Sequence, residues 1–133
     1  MEFINEENTV YEEYEQSFPD CNTLQIRKIL GTFQFTNDDI YKQIKQLSGG
    51  EKVRLRLCKI FKHNPNLLIL DEPTNHLDII GKESLENILT LYEGALLFVS
   101  HDRYFVNKIA DSLLIFEDDN IKFFNGNYKD YMD

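Results

Sequence analysis

After Pro65 the sequence changes to short, wholly apolar runs that alternate with helical patterns, and this alternation constrains the fold more than any other feature. The runs span residues 67–70, 95–99 and 113–116. Between the first two runs, apolar residues recur at helical spacing, namely Leu85, Ile88, Leu89 and Tyr92. Such runs are typical of parallel strands that are buried on both faces and joined by crossover helices. The second half of the chain is therefore predicted to be α/β with a parallel sheet.

The first half of the chain carries helical signals. Thr9 with Glu12 forms a capping-box pattern, and Thr36 with Asp39 marks the start of another short helix. One apolar set recurs at helical spacing: Ile26, Ile29, Leu30 and Phe33. We therefore expect a helical part at about residues 9–62, followed by the α/β part.

The end of the chain predicts a different local structure. Residues 115–124 have the pattern of a hairpin, and residues 125–127 read Asn-Gly-Asn, which favours a turn. No repeat or linker divides the chain, so residues 1–133 are expected to form two compact parts of one unit, with the α/β part at about 63–133.

The charge distribution excludes some classes of protein. The net charge is -9, and the first twenty residues hold seven acids and no Lys or Arg. Such a surface repels nucleic-acid phosphates, so direct DNA binding is not expected, and the acidic run is expected to be a solvated helical face. The longest apolar stretch, residues 95–99, is far shorter than the ~20 residues of a membrane span. Cys21 and Cys58 show neither metal-site spacing nor a disulfide framework, so buried cytoplasmic thiols are expected.

The first candidate site is the sequence LSGGE at residues 47–51, which opens a predicted helix. Ser48 with Glu51 makes an ordinary capping box that needs no ligand. Such a cap does not explain Gly49 and Gly50, because Gly costs about 1 kcal/mol relative to Ala in a helical turn. The glycines permit the close approach of another backbone or of a phosphate, which the positive end of the helix dipole would attract. Both interpretations remain open for this motif alone.

The second candidate site is the pair Asp71-Glu72, which follows the first apolar run. Open α/β sheets bind ligands at the carboxyl ends of their strands. Adjacent residues of a strand point to opposite faces, so the two carboxylates are expected to have different roles. One can hold Mg²⁺, usually through water, while the other orients and deprotonates an attacking water. The alternative is a strand that simply enters a polar turn at Pro73.

Two further motifs follow. TNHLD at residues 74–78 precedes a helix whose N-cap is predicted to be Asp78. The strand at residues 95–99 leads to His101, which we expect level with the two carboxylates. A neutral His there can donate to a phosphate or hold the attacking water. His63 and His76 are expected to be solvated.

In this order and spacing, LSGGE, LLILDEP, TNHLD and VSHD resemble the signature motif, Walker B, D-loop and H-loop of an ABC ATPase nucleotide-binding domain. Asn75-His76, HDRYF at residues 101–105 and GNYKDY at residues 126–131 are similar to the ABC-F subfamily. Its members are tandem-domain ATPases without membrane domains that act on ribosomes, and some confer antibiotic protection. The resemblance covers nearly the whole chain.

The resemblance implies a helical subdomain and a partial RecA-like core of the P-loop NTPase fold. The sequence has no Walker A motif. Its single Gly-Lys pair, Gly81-Lys82, is followed by Glu83, where a Walker A motif requires Ser or Thr. The chain therefore resembles the carboxyl-terminal half of one ABC-F domain, and on its own it is expected to be inactive.

The resemblance also implies roles for individual residues, with ATP and Mg²⁺ as cofactors. Asp71 would position Mg²⁺, Glu72 would activate water, and His101 would contact the γ-phosphate of ATP bound by the same domain. The other implied nucleotide-binding residues are Ser48, Gly49, Gly50, Glu51, Asn75 and Asp78, and the first three would grip ATP held by a second ABC domain. The implied partners are that second domain and, through other parts of the parent protein, the ribosome.

Three alternatives remain at this point. The chain could be a segment of an ABC transporter, although transporter domains more often carry Ser-Ala where Asn75-His76 stands. It could belong to an SMC or Rad50-like protein, but those need long heptad coils beside the signature, which this sequence lacks. It could also be a noncatalytic module that keeps the ABC dimer surface for binding or regulation.

Overall fold

A computed structural model describes residues 2–132, apart from the side chains of residues 117 and 128. Its helices are α1 (Val10–Ser17), α2 (Thr23–Thr32), α3 (Gly49–Phe61), α4 (Ile79–Leu89), α5 (Arg103–Ile109) and α6 (Tyr128–Met132). Its strands are β1 (Leu67–Asp71), β2 (Ala95–Val99), β3 (Leu113–Glu117) and β4 (Asn120–Phe124). Short 3₁₀ turns at Asp39–Tyr41 and Ile44–Gln46 lie between α2 and α3. The predicted α/β class is confirmed.

The helical signals of the first half correspond to real helix starts. The Thr9 hydroxyl accepts from the Glu12 amide at 3.1 Å, and the Glu12 carboxylate accepts from the Thr9 amide at 3.0 Å. The Thr36 hydroxyl donates to Asp39 at 2.8 Å, and the element that starts at Asp39 is a 3₁₀ turn rather than an α-helix. Ile26 is fully buried in the core. These predictions are local, and the structure confirms them.

The sheet formed by β1 and β2 is parallel, with Leu67 opposite Ala95 and Asp71 opposite Val99. The helix α4 makes the crossover between the two strands. The expectation that both faces are buried is wrong. The outward side chains are 48% to 65% exposed, namely Leu67, Ile69, Leu97 and Val99. The inward side chains pack on the core, namely Leu68, Leu70, Leu96 and Phe98. One face stays open because no other element within residues 2–132 covers it.

The third apolar run does not join the parallel sheet. Strand β3 pairs antiparallel with β4 in a separate two-stranded sheet, with Glu117 opposite Asn120. The connection is Asp118 and Asp119, both with left-handed backbone (φ 44° and 64°), as a tight hairpin turn requires. The hairpin prediction is therefore confirmed, and the parallel strand predicted at residues 113–116 is wrong, since two connecting residues permit only antiparallel pairing.

The acidic amino-terminal run is not wholly a solvated face. The side chain of Glu13 in α1 is completely buried and meets Lys59 of α3 at 2.6 Å. The solvated-face expectation is therefore wrong at this position, because a cation from a distant part of the chain allows the carboxylate to be buried. Cys58 is a buried free thiol, and Cys21 is a half-buried one. Among the helices of residues 2–132, none has the length and apolar character needed to cross a membrane.

Candidate active site

The carboxylate pair lies at the carboxyl end of the parallel sheet. Strand β1 ends at Asp71, and Glu72 already has a left-handed backbone with φ of 46°. The Glu72 amide donates to the Val99 carbonyl at 2.7 Å, which extends the ladder one position beyond the strand. A non-glycine residue in this conformation is unfavourable and is found most often at turns and functional sites. Asp71 is exposed and Glu72 half-buried, so the two carboxylates have different surroundings.

His101 lies beside Glu72, as the sequence predicted for the ends of neighbouring parallel strands. The His101 Nε2 atom is 3.6 Å from Glu72 Oε1, and the His101 amide donates to Glu72 Oε2 at 3.4 Å. The imidazole side chain is 93% exposed. A carboxylate and an imidazole are thus held together at an open edge, where a ligand can reach both from solvent.

Asp102 anchors the loop that carries His101. One of its carboxylate oxygens accepts from the Phe105 amide at 3.1 Å and caps α5, while the other lies 3.0 Å from the Lys82 ammonium of α4. The hydrogen bond from Lys82, supported by those from the Phe105 amide and the Thr74 hydroxyl, holds the pKa of the Asp102 carboxyl below its ordinary value. Sequence reasoning missed this anchor. The available signal was an Asp directly before a helix, which marks a cap but does not reveal Lys82.

The TNHLD loop runs directly from Glu72 into α4. The Asn75 amide donates to the Glu72 carbonyl at 3.1 Å, and Asp78 accepts from the Gly81 amide at 2.7 Å. The predicted N-cap at Asp78 is therefore confirmed. Thr74 is buried, whereas Asn75 and His76 are exposed. His63 is exposed as well, so His63 and His76 both face solvent, as the sequence predicted.

The LSGGE segment forms the capping box that the sequence predicted. The Glu51 amide donates to the Ser48 hydroxyl at 3.2 Å, and the Ser48 amide donates to the Glu51 carboxylate at 3.1 Å. Ser48 and Gly49 are exposed, but Gly50 is buried against Gly81 of α4. The two adjacent glycines therefore differ in exposure, and the nucleotide-binding role of Gly50 stays a prediction.

The end of β1 offers few oxygen ligands for Mg²⁺. In the part of the chain that the structure describes, no three His, Cys, Asp or Glu side chains cluster closely enough to hold a metal ion. Asp71 alone presents an exposed carboxylate at the end of β1, beside the half-buried Glu72. This sparse oxygen donor set suits Mg²⁺, which usually keeps several waters and takes one or two carboxylates together with substrate phosphates.

The family model described as ABC transporter matches residues 2–75, which include the LSGGE segment, the Asp71-Glu72 pair and the start of the TNHLD loop. The chain belongs to this family. The ABC ATPase fold was therefore predicted correctly from the sequence.

Curated relatives of this ABC ATPase segment cover nearly all of it. It is 49% identical to the putative ATP-binding protein YdiF of Bacillus subtilis over 122 residues, which are 92% of this chain and 19% of that protein. It is 50% identical to the probable ATP-binding protein YbiT of Escherichia coli O157:H7 over 107 residues, 80% of this chain and 20% of that protein. It is 39% identical to ABC transporter F family member 5 of Arabidopsis thaliana over 132 residues, 99% of this chain and 19% of that protein. The chain thus spans about a fifth of the length of these relatives, and the ABC-F resemblance is confirmed.

Proposed function

We propose that this chain supplies part of an ATP-hydrolysing ABC-F domain, with Glu72 as the base that activates water. The close pairing of Glu72 with His101 is the observation that carries the proposal. A carboxylate within reach of a water can accept its proton, and a neighbouring imidazole can orient that water or donate to the phosphate. The open edge at which the pair lies leaves room for a nucleotide to approach.

Asp71 would hold Mg²⁺ through its exposed carboxylate, and the cation would neutralise charge on the phosphates when bound. The backbone of Glu72 turns its carboxylate out of the strand and towards His101. This division gives the two adjacent carboxylates the separate roles that the sequence analysis assigned to them. The exposed Asn75 and the N-cap residue Asp78 belong to the same proposed nucleotide-binding region.

The exposed end of α3 would bind ATP held by a second ABC domain. Ser48 and Gly49 lie at the amino terminus of this helix, where the dipole favours a phosphate. Glu51 keeps the Ser48 side chain in place by the reciprocal cap. We therefore propose a second ABC domain, in tandem or as a dimer partner, as the immediate partner of this surface.

The test of this proposal uses a longer polypeptide that joins this sequence to a Walker A segment. Glu72→Gln should abolish ATP hydrolysis while leaving ATP binding intact, because the amide keeps the size of the carboxylate but cannot take a proton. Glu83→Gln, at an exposed position of α4, is the matched control and should hydrolyse ATP normally. Undiminished single-turnover hydrolysis in Glu72→Gln would remove this residue from the role of base.

The chain alone should bind Mg-ATP no more tightly than about 1 mM, which corresponds to about -4 kcal/mol. The loop amides and Lys that give a P-loop site most of its phosphate affinity are lacking in this sequence, and Asp71 and Glu72 repel the phosphates. Calorimetric titration measures this affinity, and hydrolysis should be undetectable. A saturable micromolar site would contradict the expected inactivity of the chain.

We further propose that the parent protein is a cytoplasmic, ribosome-associated translation or antibiotic-resistance factor. The support is the similarity to F-family relatives together with the exposed Asn75-His76 pair. Sucrose-gradient sedimentation of the longer polypeptide with ribosomes and ATP is the test. The Glu72→Gln form should sediment with ribosomes more than the unmodified form, because it retains ATP. Absence of both forms from the ribosomal fractions would refute the association.

A further inference from the structure

Two helical glycines, Gly50 near the start of α3 and Gly81 near the start of α4, touch through their backbones. A Cβ atom built on Gly50 would lie 2.9 Å from the Cα of Gly81, closer than real Cβ atoms approach such a neighbour. A Cβ atom on Gly81 would lie 3.5 Å from the Cα of Gly50 and 3.1 Å from Asp78 Oδ1. A side chain at Gly50 would therefore force the two helices apart, and one at Gly81 would crowd the cap of α4.

Backbone conformation does not account for these glycines. Neither Gly50 nor Gly81 has a positive φ, and glycine is unfavourable within a helix relative to alanine. For Gly50 the close approach of the Gly81 backbone supplies a physical reason, whereas at Gly81 the tight contact of an added Cβ would be with the Asp78 carboxylate. Gly49 differs, because a Cβ atom there would make ordinary contacts of 3.6 Å with Leu77 and 3.7 Å with the His76 carbonyl.

The contact lies between two segments that the proposed function assigns to nucleotide. Gly50 follows Ser48, the N-cap of α3, and Gly81 follows the TNHLD loop that ends in Asp78. The Gly81 amide is also the donor that Asp78 accepts at 2.7 Å. The start of α3 therefore packs directly against the capped first turn of α4.

We propose that Gly81 is a positioning residue whose contact with Gly50 holds the Ser48 end of α3 against the TNHLD loop, so that a displacement of either segment is transmitted to the other. The relevance of this coupling to ATP rests on the proposed function. The coupling itself is a property of this chain and can be measured without nucleotide.

The first test is amide hydrogen exchange, followed by NMR, in the 133-residue chain. Gly50→Ala should accelerate exchange of the Gly81 amide about fivefold to tenfold, the loss expected when an N-cap is weakened. The Leu30 amide in α2 should keep its rate. Gly31→Ala is the matched control, since a Cβ there would meet nothing within 4 Å, and it should leave the Gly81 amide unchanged. Equal acceleration at Leu30 and Gly81, or none at Gly81, would overturn the proposal.

The second test runs in the opposite direction. Asp78→Ala weakens the first turn of α4 and should accelerate exchange of the Glu51 amide, which donates to Ser48 in α3. An unchanged Glu51 rate would refute the transmission between the two segments.

A third variant keeps the proposal testable if Gly50→Ala does not fold. Gly81→Ala has its tightest contact with the Asp78 carboxylate, at the end of a flexible side chain, and should accelerate Glu51 exchange to a smaller degree. An unchanged rate would count against the coupling. Failure of the ATPase proposal alone would leave all of these exchange results intact, so the two failures are distinguishable.

Discussion

Removal of the Lys59 ammonium should destabilise the chain strongly, because it leaves the Glu13 carboxylate buried without its cation. The Glu13 side chain is completely buried, and Lys59 is 7% exposed. The carboxylate also accepts from the Ile4 amide at 2.9 Å and from the Asn8 side chain at 3.2 Å. Loss of one partner from such a buried pair costs about 3–5 kcal/mol. We expect Lys59→Met, which keeps most of the apolar side-chain volume, to lower the free energy of unfolding by that amount at pH 7.

The assay is urea denaturation followed by far-ultraviolet circular dichroism. Lys45→Met is the matched control, because Lys45 pairs with Glu7 at 2.8 Å between side chains that are 47% and 65% exposed. An exposed pair of this kind contributes about 0.2–1 kcal/mol. If Lys59→Met and Lys45→Met have the same small effect, the structural argument for the buried pair is refuted.

The pH dependence gives a second check on the same pair. Burial alone raises the pKa of the Glu13 carboxyl, but the hydrogen bonds from the Ile4 amide, Lys59 and Asn8 outweigh it and lower the pKa below its ordinary value of 4.5. A carboxyl with a lowered pKa contributes stability above about pH 4.5 and loses that contribution as the pH falls through its folded-state pKa. In Lys59→Met burial remains while the cation is lost, so Glu13 protonates more readily. The stability gap between the two proteins should therefore narrow as the pH falls from 7.

The double variant Glu13→Gln with Lys59→Met distinguishes two causes of lost stability, namely a buried unpaired charge and a loss of packing. The neutral amide oxygen can still accept from the Ile4 amide, and no charge remains buried. Its stability should recover to within about 1–2 kcal/mol of the unmodified chain, because replacement of both partners of a buried pair costs far less than removal of one. A double variant as unstable as Lys59→Met would assign the effect to packing.

Three shorter predictions concern the site and its surface. Ser48→Ala should lower the free energy of unfolding by about 1 kcal/mol, because the Glu51 amide loses its acceptor, and an unchanged urea midpoint would contradict the cap. Ile69 is 65% exposed on the open sheet face, so Ile69→Lys should change the free energy of unfolding by less than about 0.5 kcal/mol and should reduce any self-association seen in light scattering. Leu68→Lys is the contrasting variant and should unfold the chain, because Leu68 is only 5% exposed. Asp102→Asn should be destabilising at neutral pH. Its difference in stability from the unmodified chain should shrink in acid, because the contribution of a carboxyl with a lowered pKa is full above its ordinary pKa and is lost as the pH falls through its folded-state pKa.

Features predictable from the sequence depend on contacts between residues close in the chain. The caps at Thr9, Ser48 and Asp78 each involve a partner only three residues away. A side chain that short readily reaches its own first helical turn, so the motif determines the capping contact. The same locality made the tight turn between β3 and β4 predictable. The parallel pairing of β1 with β2 was also predicted correctly, whereas the third apolar run pairs with β4 and does not join that sheet.

Features that sequence reasoning missed join residues that are distant in the chain. Glu13 and Lys59 are 46 positions apart, and an acidic run gives no sign of which member will be buried. The contact of Gly50 with Gly81 has the same character, because a glycine pair in LSGGE permits either a phosphate or a backbone to approach. In the structure the Gly81 backbone approaches Gly50, while Gly49 is exposed. No local sequence pattern distinguishes these two surroundings.

The separate surroundings of Asp71 and Glu72 arise for a reason different from the one that strand alternation predicts. Alternation requires both residues to lie on the strand, but β1 ends at Asp71, and Glu72 has a left-handed backbone held by its bond to the Val99 carbonyl. This turn directs the Glu72 carboxylate towards His101, which follows the same strand as Val99. The pairing of β1 with β2 therefore determines both the conformation of the proposed base and the position of its histidine partner. A substitution that disturbs the Val99 end of β2 should consequently impair both groups together.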